Sequence, residues 1–136
     1  MNKVQHFEIP ADDMGRAKRF YAESFGWSMK DWPMPDGSTY VGIYTGPVDE
    51  KGVWKEPGFI NGGMTQRGGA FPTVAPTVAV IVPDIHAAIE KIKAAGGTVF
   101  MDIIELPGMG WYSYIKDTEG NVIGVWQDVK KDIKKE

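Results

Sequence analysis

Two stretches of this chain carry one pattern at a fixed offset, and that repeat limits what the chain can fold into. Residues 3–9, "KVQHFEI", have the apolar and branched character of a strand, and "PADD" follows as turn and cap. Then Met14, Ala17, Tyr21 and Phe25 recur at the spacing of one helix face, and Gly26 supplies a stop. Residues 77–97, "TVAVIVPDIHAAIEKIKAAGG", do the same. Subtracting 71 from Asp84, Ile85, Ala88, Ile92 and Gly97 returns Asp13, Met14, Ala17, Tyr21 and Gly26. Cap, apolar face and stop glycine coincide. A period near 70 is too long for a solenoid unit, so the chain reads as two copies of a strand–helix–three-strand module.

The remaining segments complete both copies. Strands are expected over 27–32, 38–45 and 59–66 in the first module, and over 98–105, 111–117 and 121–127 in the second. The last strands align, "GMTQ" at 63–66 with "GVWQ" at 124–127. Segments 46–58 and 67–76 are rich in proline and glycine and read as loops, the second linking the modules. The expected organisation is a single domain over 1–136. Module one covers about 1–68, module two about 74–128, and a tail covers 129–136.

Composition excludes several classes. There is no cysteine, which removes disulfides, thiolate zinc sites and cysteine nucleophiles together. The N-terminal "MNKVQHFEIP" lacks the apolar core of a signal peptide, and no apolar run approaches a membrane span. The expectation is a cytoplasmic protein without a membrane partner. A net charge of −3 gives no basic patch for nucleic acid. The lysines of the tail "DVKKDIKKE" interleave with acids and read as a solvated end. No glycine-rich phosphate cradle and no Ser-His-Asp set is visible.

Three segments together carry a family likeness: "HFEIPADDMGRAKRFYAESFGW" at 6–27, "VIVPDIHAAIEKIKAAGG" at 80–97, and "PGMGWYSYIKDTEGNVIGVWQ" at 107–127. In them the chain resembles the vicinal oxygen chelate superfamily of glyoxalase I, bleomycin-resistance proteins and extradiol dioxygenases. The likeness covers nearly the whole chain and is greatest to glyoxalase-related proteins of predicted activity. It implies an α+β fold in which two βαβββ modules form a cupped, mixed and antiparallel sheet, with helices on the convex side and a ligand cavity on the concave side. It also implies a homodimer.

Strand alternation agrees with such a two-faced sheet. Ile60, Met64, Ile123 and Val125 are expected on the helix side. Asn61, Gly63, Thr65, Val122, Gly124 and Trp126 are expected toward the cavity. Metal-dependent members of the superfamily place one ligand on the first and last strand of each module. Those positions fall on His6, Gly63, Thr77 and Gly124. A divalent ion needs several nitrogen or oxygen donors, and only His6 is a strong one. No tightly bound metal or other cofactor is expected. Glu8, on the face of His6, could join it in holding a divalent ion weakly.

His6 and Glu8 are the candidate catalytic pair. An ordinary histidine pKa near 6.5 suits proton transfer at neutral pH, and a carboxyl in an apolar cup is raised toward a useful base. Tyr40, Trp111, Tyr112 and Trp126 are candidate ligand-binding aromatics, together with Asn61, Gly63, Thr77 and Gly124. Tyr44, Trp54 and Tyr114 add further rings. Gln66 and Gln127 are candidate polar anchors, "ELPGMGWYS" at 105–113 is a candidate lid, and His86 reads as surface. The two glycines either leave volume for a ligand or permit close strand packing.

Three functions remain open at this point. The first is a metal-free binder of a small organic ligand. The second is a lyase, isomerase or oxidoreductase of this superfamily's type, with His6 and Glu8 or a weakly held metal. The third is a non-catalytic interaction module.

Overall fold

Each helix starts at an aspartate, as the repeat requires. In the computed structural model, which describes residues 1–129 apart from 70 and 73, Asp13 is extended and its carboxylate accepts from Arg16 N at 2.9 Å, capping α1 (Met14–Phe25). Asp84 does the same for α2 (Ile85–Ala94), accepting from Ala87 N at 3.1 Å. Gly26 closes α1 in the left-handed region, at φ 71. The second stop is one residue earlier than the repeat predicts. Gly96 takes the left-handed conformation at φ 99, and Gly97 does not. Gly97 instead lies against Ile92 and the Lys116 carbonyl, where a side chain would not fit.

The strands are β1 (Lys3–Ala11), β2 (Ser28–Pro33), β3 (Thr39–Tyr44), β4 (Asn61–Gln66), β5 (Thr77–Ile81), β6 (Thr98–Leu106), β7 (Gly110–Lys116) and β8 (Val122–Asp128). The fold is α+β and has the two βαβββ modules. The chain divides into two compact units, Gln5–Val78 on the one hand and Met1–Val4 with the chain from Ala79 onward on the other.

In the first unit the strand order is β2-β3-β4-β1. β1 runs parallel to β4, and the β2–β3 and β3–β4 pairs are antiparallel, so the sheet is mixed. One face is apolar. Ala11, Val41, Ile43 and Met64 form its buried centre, joined by Phe7, Ile9, Met29 and by Met14, Ala17 and Tyr21 of α1. Three of those are the periodic helix positions read from sequence. Fully burying side chains of this size contributes about 1.5–3 kcal/mol each, which fixes the register and so decides what the opposite face displays.

The second unit repeats this arrangement with order β5-β8-β7-β6, with β5 parallel to β8 and the other pairs antiparallel. Val82, Ile85, Ile89, Ile115 and Val125 make its core. Ile123 and Val125 thus lie on the helix side, as alternation predicts. β6 is irregular, with register shifts between Val99 and Met101 and between Met101 and Ile104. The tail beyond residue 129 lies outside the described residues. Among the described residues no helix is long and apolar enough to cross a membrane.

Candidate functional site

The polar chemistry of the first unit collects on the sheet face that α1 leaves uncovered. β1 sets His6 beside Asn61 and Glu8 beside Gly63, and β3 sets Gly42 on the other side of Gly63. Period two then brings His6, Glu8, Tyr40, Asn61 and Thr65 onto one face. Lys30 and Trp32 of β2 join it through their pairs Gly42 and Tyr40. Three polar residues on this face are almost closed to solvent: Glu8 at 7%, Asn61 at 8% and Thr65 at 4% exposure.

His6 and Tyr40 are joined. The imidazole Nε2 and the phenol oxygen share a hydrogen bond of 2.7 Å, and the two rings lie within 17° of parallel. Burial lowers the His6 pKa to about 4, so the imidazole is neutral at physiological pH. Burial also raises the Tyr40 phenol, and the nearby Glu8 carboxylate and Tyr44 push it the same way, so Tyr40 holds its proton. This corrects the expectation of a histidine titrating near neutrality. The depressed value makes His6 a weak base at neutral pH.

The glycines on this face neither hold open volume for a ligand nor merely let strands pack. The hydroxyl, Cζ and Cε2 of Tyr40 occupy the place where a side chain at Gly63 would begin. At Gly42 the Trp32 indole nitrogen and the Tyr44 hydroxyl do the same, and those two groups hydrogen-bond at 3.2 Å. Glycine backbone is therefore the floor on which the protein's own aromatic side chains lie. Phe71 adds a ring 6.0 Å from Tyr40. Tyr40 was a candidate aromatic in the sequence, but its contact with His6 could not be read there. Phe71 and Trp32 were missed, and for Trp32 the signal was its two-residue spacing in "SMKDWP".

Asn61 is oriented by its neighbours. Its Oδ1 accepts from Thr45 N at 3.1 Å, so Nδ2 points away as a donor. That Nδ2 and the Thr65 Oγ1 are buried without hydrogen-bond partners among the described residues. Buried polar atoms in folded proteins are nearly always satisfied, by protein, water or ligand.

In the second unit the face opposite α2 is aromatic. Tyr112 and Trp126 pair in register and stack at 6.3 Å and 18°. Tyr114, which is buried, meets Tyr112 edge-on and lies beside Gly124. Gly124 pairs with Ala79, so no carboxylate stands where Glu8 stands beside Gly63. A Cβ at Gly124 would press on the Ala79 Cβ at 3.2 Å and touch Tyr114 at 3.5 Å, so the fit is tight but without the overlap at Gly63. Trp111, predicted with Tyr112, packs instead against the helix-side core, because consecutive strand residues face opposite ways. Thr77 opens β5.

Other predicted residues have structural roles. Gln66 Nε2 donates to the Asp12 carbonyl at 2.7 Å, and Gln127 Oε1 accepts from Ile85 N at 2.8 Å. Each ties its module's last strand to the start of its helix rather than anchoring a ligand. Trp54 is partly exposed and packs on Phe59. His86 is exposed and lines a groove of about 400 Å3 between α2 and β6.

The donor set does not fit a tight metal site. Gly63 and Gly124 offer no side-chain donor, Thr77 is a neutral oxygen, and the His6 Nε2 is engaged by Tyr40. Among the described residues no three histidine, aspartate or glutamate side chains converge.

Residues 3–46 match the family of bleomycin resistance protein-like N-terminal regions. A glyoxylase-like domain-containing protein of Didymella fabae is 30% identical over 122 residues, covering 88% of each chain. A glyoxylase-named protein of Mycobacterium tuberculosis is 28% identical over 127 residues, and the chain spans 43% of its length. Among solved structures, methylmalonyl-CoA epimerase from Mycobacterium tuberculosis aligns with a TM-score of 0.65 at 15% identity, over 93% of this chain and 88% of that one. A glyoxalase/bleomycin resistance protein/dioxygenase superfamily member from Vibrio splendidus aligns with a TM-score of 0.62 at 12% identity, over 94% and 100%. At these identities the structures show a shared fold.

Proposed function

Because the chain belongs to the vicinal oxygen chelate superfamily of glyoxalase-like and bleomycin-resistance-like proteins, we propose that it binds a small organic ligand on the face carrying His6, Glu8, Tyr40, Asn61 and Thr65, without a tightly bound metal. The observation that carries this reading is the pair of buried polar atoms, Asn61 Nδ2 and Thr65 Oγ1, that no group among the described residues satisfies. Leaving such a group unsatisfied costs about 1–3 kcal/mol, and a ligand or water with acceptor oxygens relieves it. The aromatic rings on the same face supply contact area for a planar body. On the second unit, Tyr112 and Trp126 are the candidate ligand contacts, with Gly124 beneath Tyr114.

A second reading is supported by Glu8. A buried carboxylate beside a neutral imidazole can accept a proton from a bound carbon acid, with Asn61 Nδ2 available to a developing oxyanion. This is the lyase or isomerase alternative, with Glu8 as base and His6 fixing the Tyr40 hydroxyl. A homodimer is also proposed. The mycobacterial relatives, of which the chain spans 43%, have length for a second domain of this size.

The test is a thermal-shift screen of small aromatic acids and carbonyl compounds, run with and without chelator, followed by titration calorimetry of the hits. The reading expects ligands whose affinity the chelator leaves unchanged and which Asn61→Leu weakens at least fivefold. Affinity that disappears with the chelator overturns the metal-free part. Hits incubated in deuterated buffer test the second reading, which expects exchange at carbon that Glu8→Gln abolishes.

A further inference from the structure

The space above Gly63 is already occupied, and its occupant has the form of a ligand. The phenol of Tyr40 lies directly on the Gly63 backbone. Its oxygen is held by the His6 Nε2 at 2.7 Å. Its ring runs near-parallel to the imidazole and is flanked by Phe71 at 6.0 Å. These are the elements of a recognition slot: a flat floor without side chains, one directed hydrogen-bond partner for a hydroxyl, and an aromatic wall. The slot also selects a charge state. Glu8 and burial both disfavour a phenolate there, and the neutral imidazole has no charge with which to stabilise one.

Tyr40 is better suited to leave than a core residue. It belongs to β3, one strand away from Gly63 of β4, and part of its surface remains accessible. The helix-side core does not include it. Rotation of its side chain therefore breaks one hydrogen bond and ring contacts, while the apolar layer that fixes the sheet stays intact.

We propose that the space over Gly63 is a phenol-recognition slot whose resident, Tyr40, is a tethered stand-in that a free phenolic ligand displaces. The inference rests on the small-molecule reading above and narrows it to neutral ligands bearing a hydroxylated aromatic ring. The tether makes the site self-inhibited. A free ligand meets only the fraction of molecules in which Tyr40 has swung out, so its apparent affinity is its intrinsic affinity scaled by that fraction. His6 acts here as a specificity residue, because it reads the hydroxyl.

Titration calorimetry with p-cresol and toluene on the full chain at neutral pH tests this. Tyr40→Phe keeps the ring and the fold but loses the hydrogen bond to His6. It is expected to bind p-cresol at least about fivefold more tightly than the wild type, the factor corresponding to one net buried hydrogen bond. Tyr40→Ala removes the stand-in. It is expected to prefer p-cresol over toluene by at least about fivefold, because only p-cresol can reach His6 with a hydroxyl. Equal p-cresol affinity in Tyr40→Phe and wild type overturns the proposal, as does a folded Tyr40→Ala that binds the two compounds alike. If the aromatic acids of the screen bind the wild type in that case, the binding reading stands and the tethered phenol alone has failed.

Discussion

Acid should weaken this protein through His6. Burial places its folded-state pKa at about 4, against 6.5 for an ordinary histidine. Above pH 6.5 both the folded and the unfolded chain carry a neutral imidazole, and this contribution to stability is complete. As pH falls below 6.5, the unfolded state takes up a proton that the folded state refuses until about pH 4. Stability therefore declines across that window and stops declining from this cause below it. At about 1.4 kcal/mol per pKa unit, the whole window is worth about 3 kcal/mol. Carboxylates titrate at its acidic end, so the measurement is a difference. Urea unfolding is followed at pH 7, 6, 5 and 4 for the wild type and for His6→Gln, which retains a polar partner for Tyr40. His86 and the acids are common to both proteins and cancel. The wild type should lose about 3 kcal/mol more than the variant between pH 7 and pH 4. Parallel stability curves would refute the claim that His6 is buried and neutral.

The remaining predictions concern the face and the helix starts. Gly63→Ala drives a methyl into the Tyr40 phenol and should cost about 1–3 kcal/mol of unfolding free energy. Combined with Tyr40→Ala it should cost far less than the two single effects added, a coupling read by a double-mutant cycle. Asp13→Ala and Asp84→Ala each remove a cap that accepts a backbone hydrogen bond. Each should lower the midpoint of thermal or urea unfolding, with no change in ligand affinity.

Much of the scaffold was legible because periodic burial leaves a trace in sequence. Met14, Ala17 and Tyr21 had to lie on one face, and their repeat mates Ile85, Ala88 and Ile92 follow the same rule. Both capping aspartates could be read for the same reason, since an exposed helix start needs an acceptor side chain. The second stop glycine was misplaced by one residue because two adjacent glycines satisfy the composition signal equally, and only packing decides which one turns. The site was legible in its membership more than in its arrangement. Alternation put Asn61 and Gly63 on the face opposite α1, and His6 and Glu8 together. It could not show that Tyr40, 34 positions from His6, lies across Gly63, because that depends on where a side chain bends after leaving the strand. Gln66 and Gln127 misled for a related reason. An amide at a strand end can serve a ligand or a neighbouring backbone group, and here both serve backbone.

The matched pairs Glu8–Gly63 and Ala79–Gly124 stand at equivalent positions of the two modules. The two modules thus offer an internal comparison. One copy of the position carries an acid and the other does not, on a shared architecture of strand, helix and glycine. Ala79→Glu would ask whether the second module tolerates the acid that the first one carries.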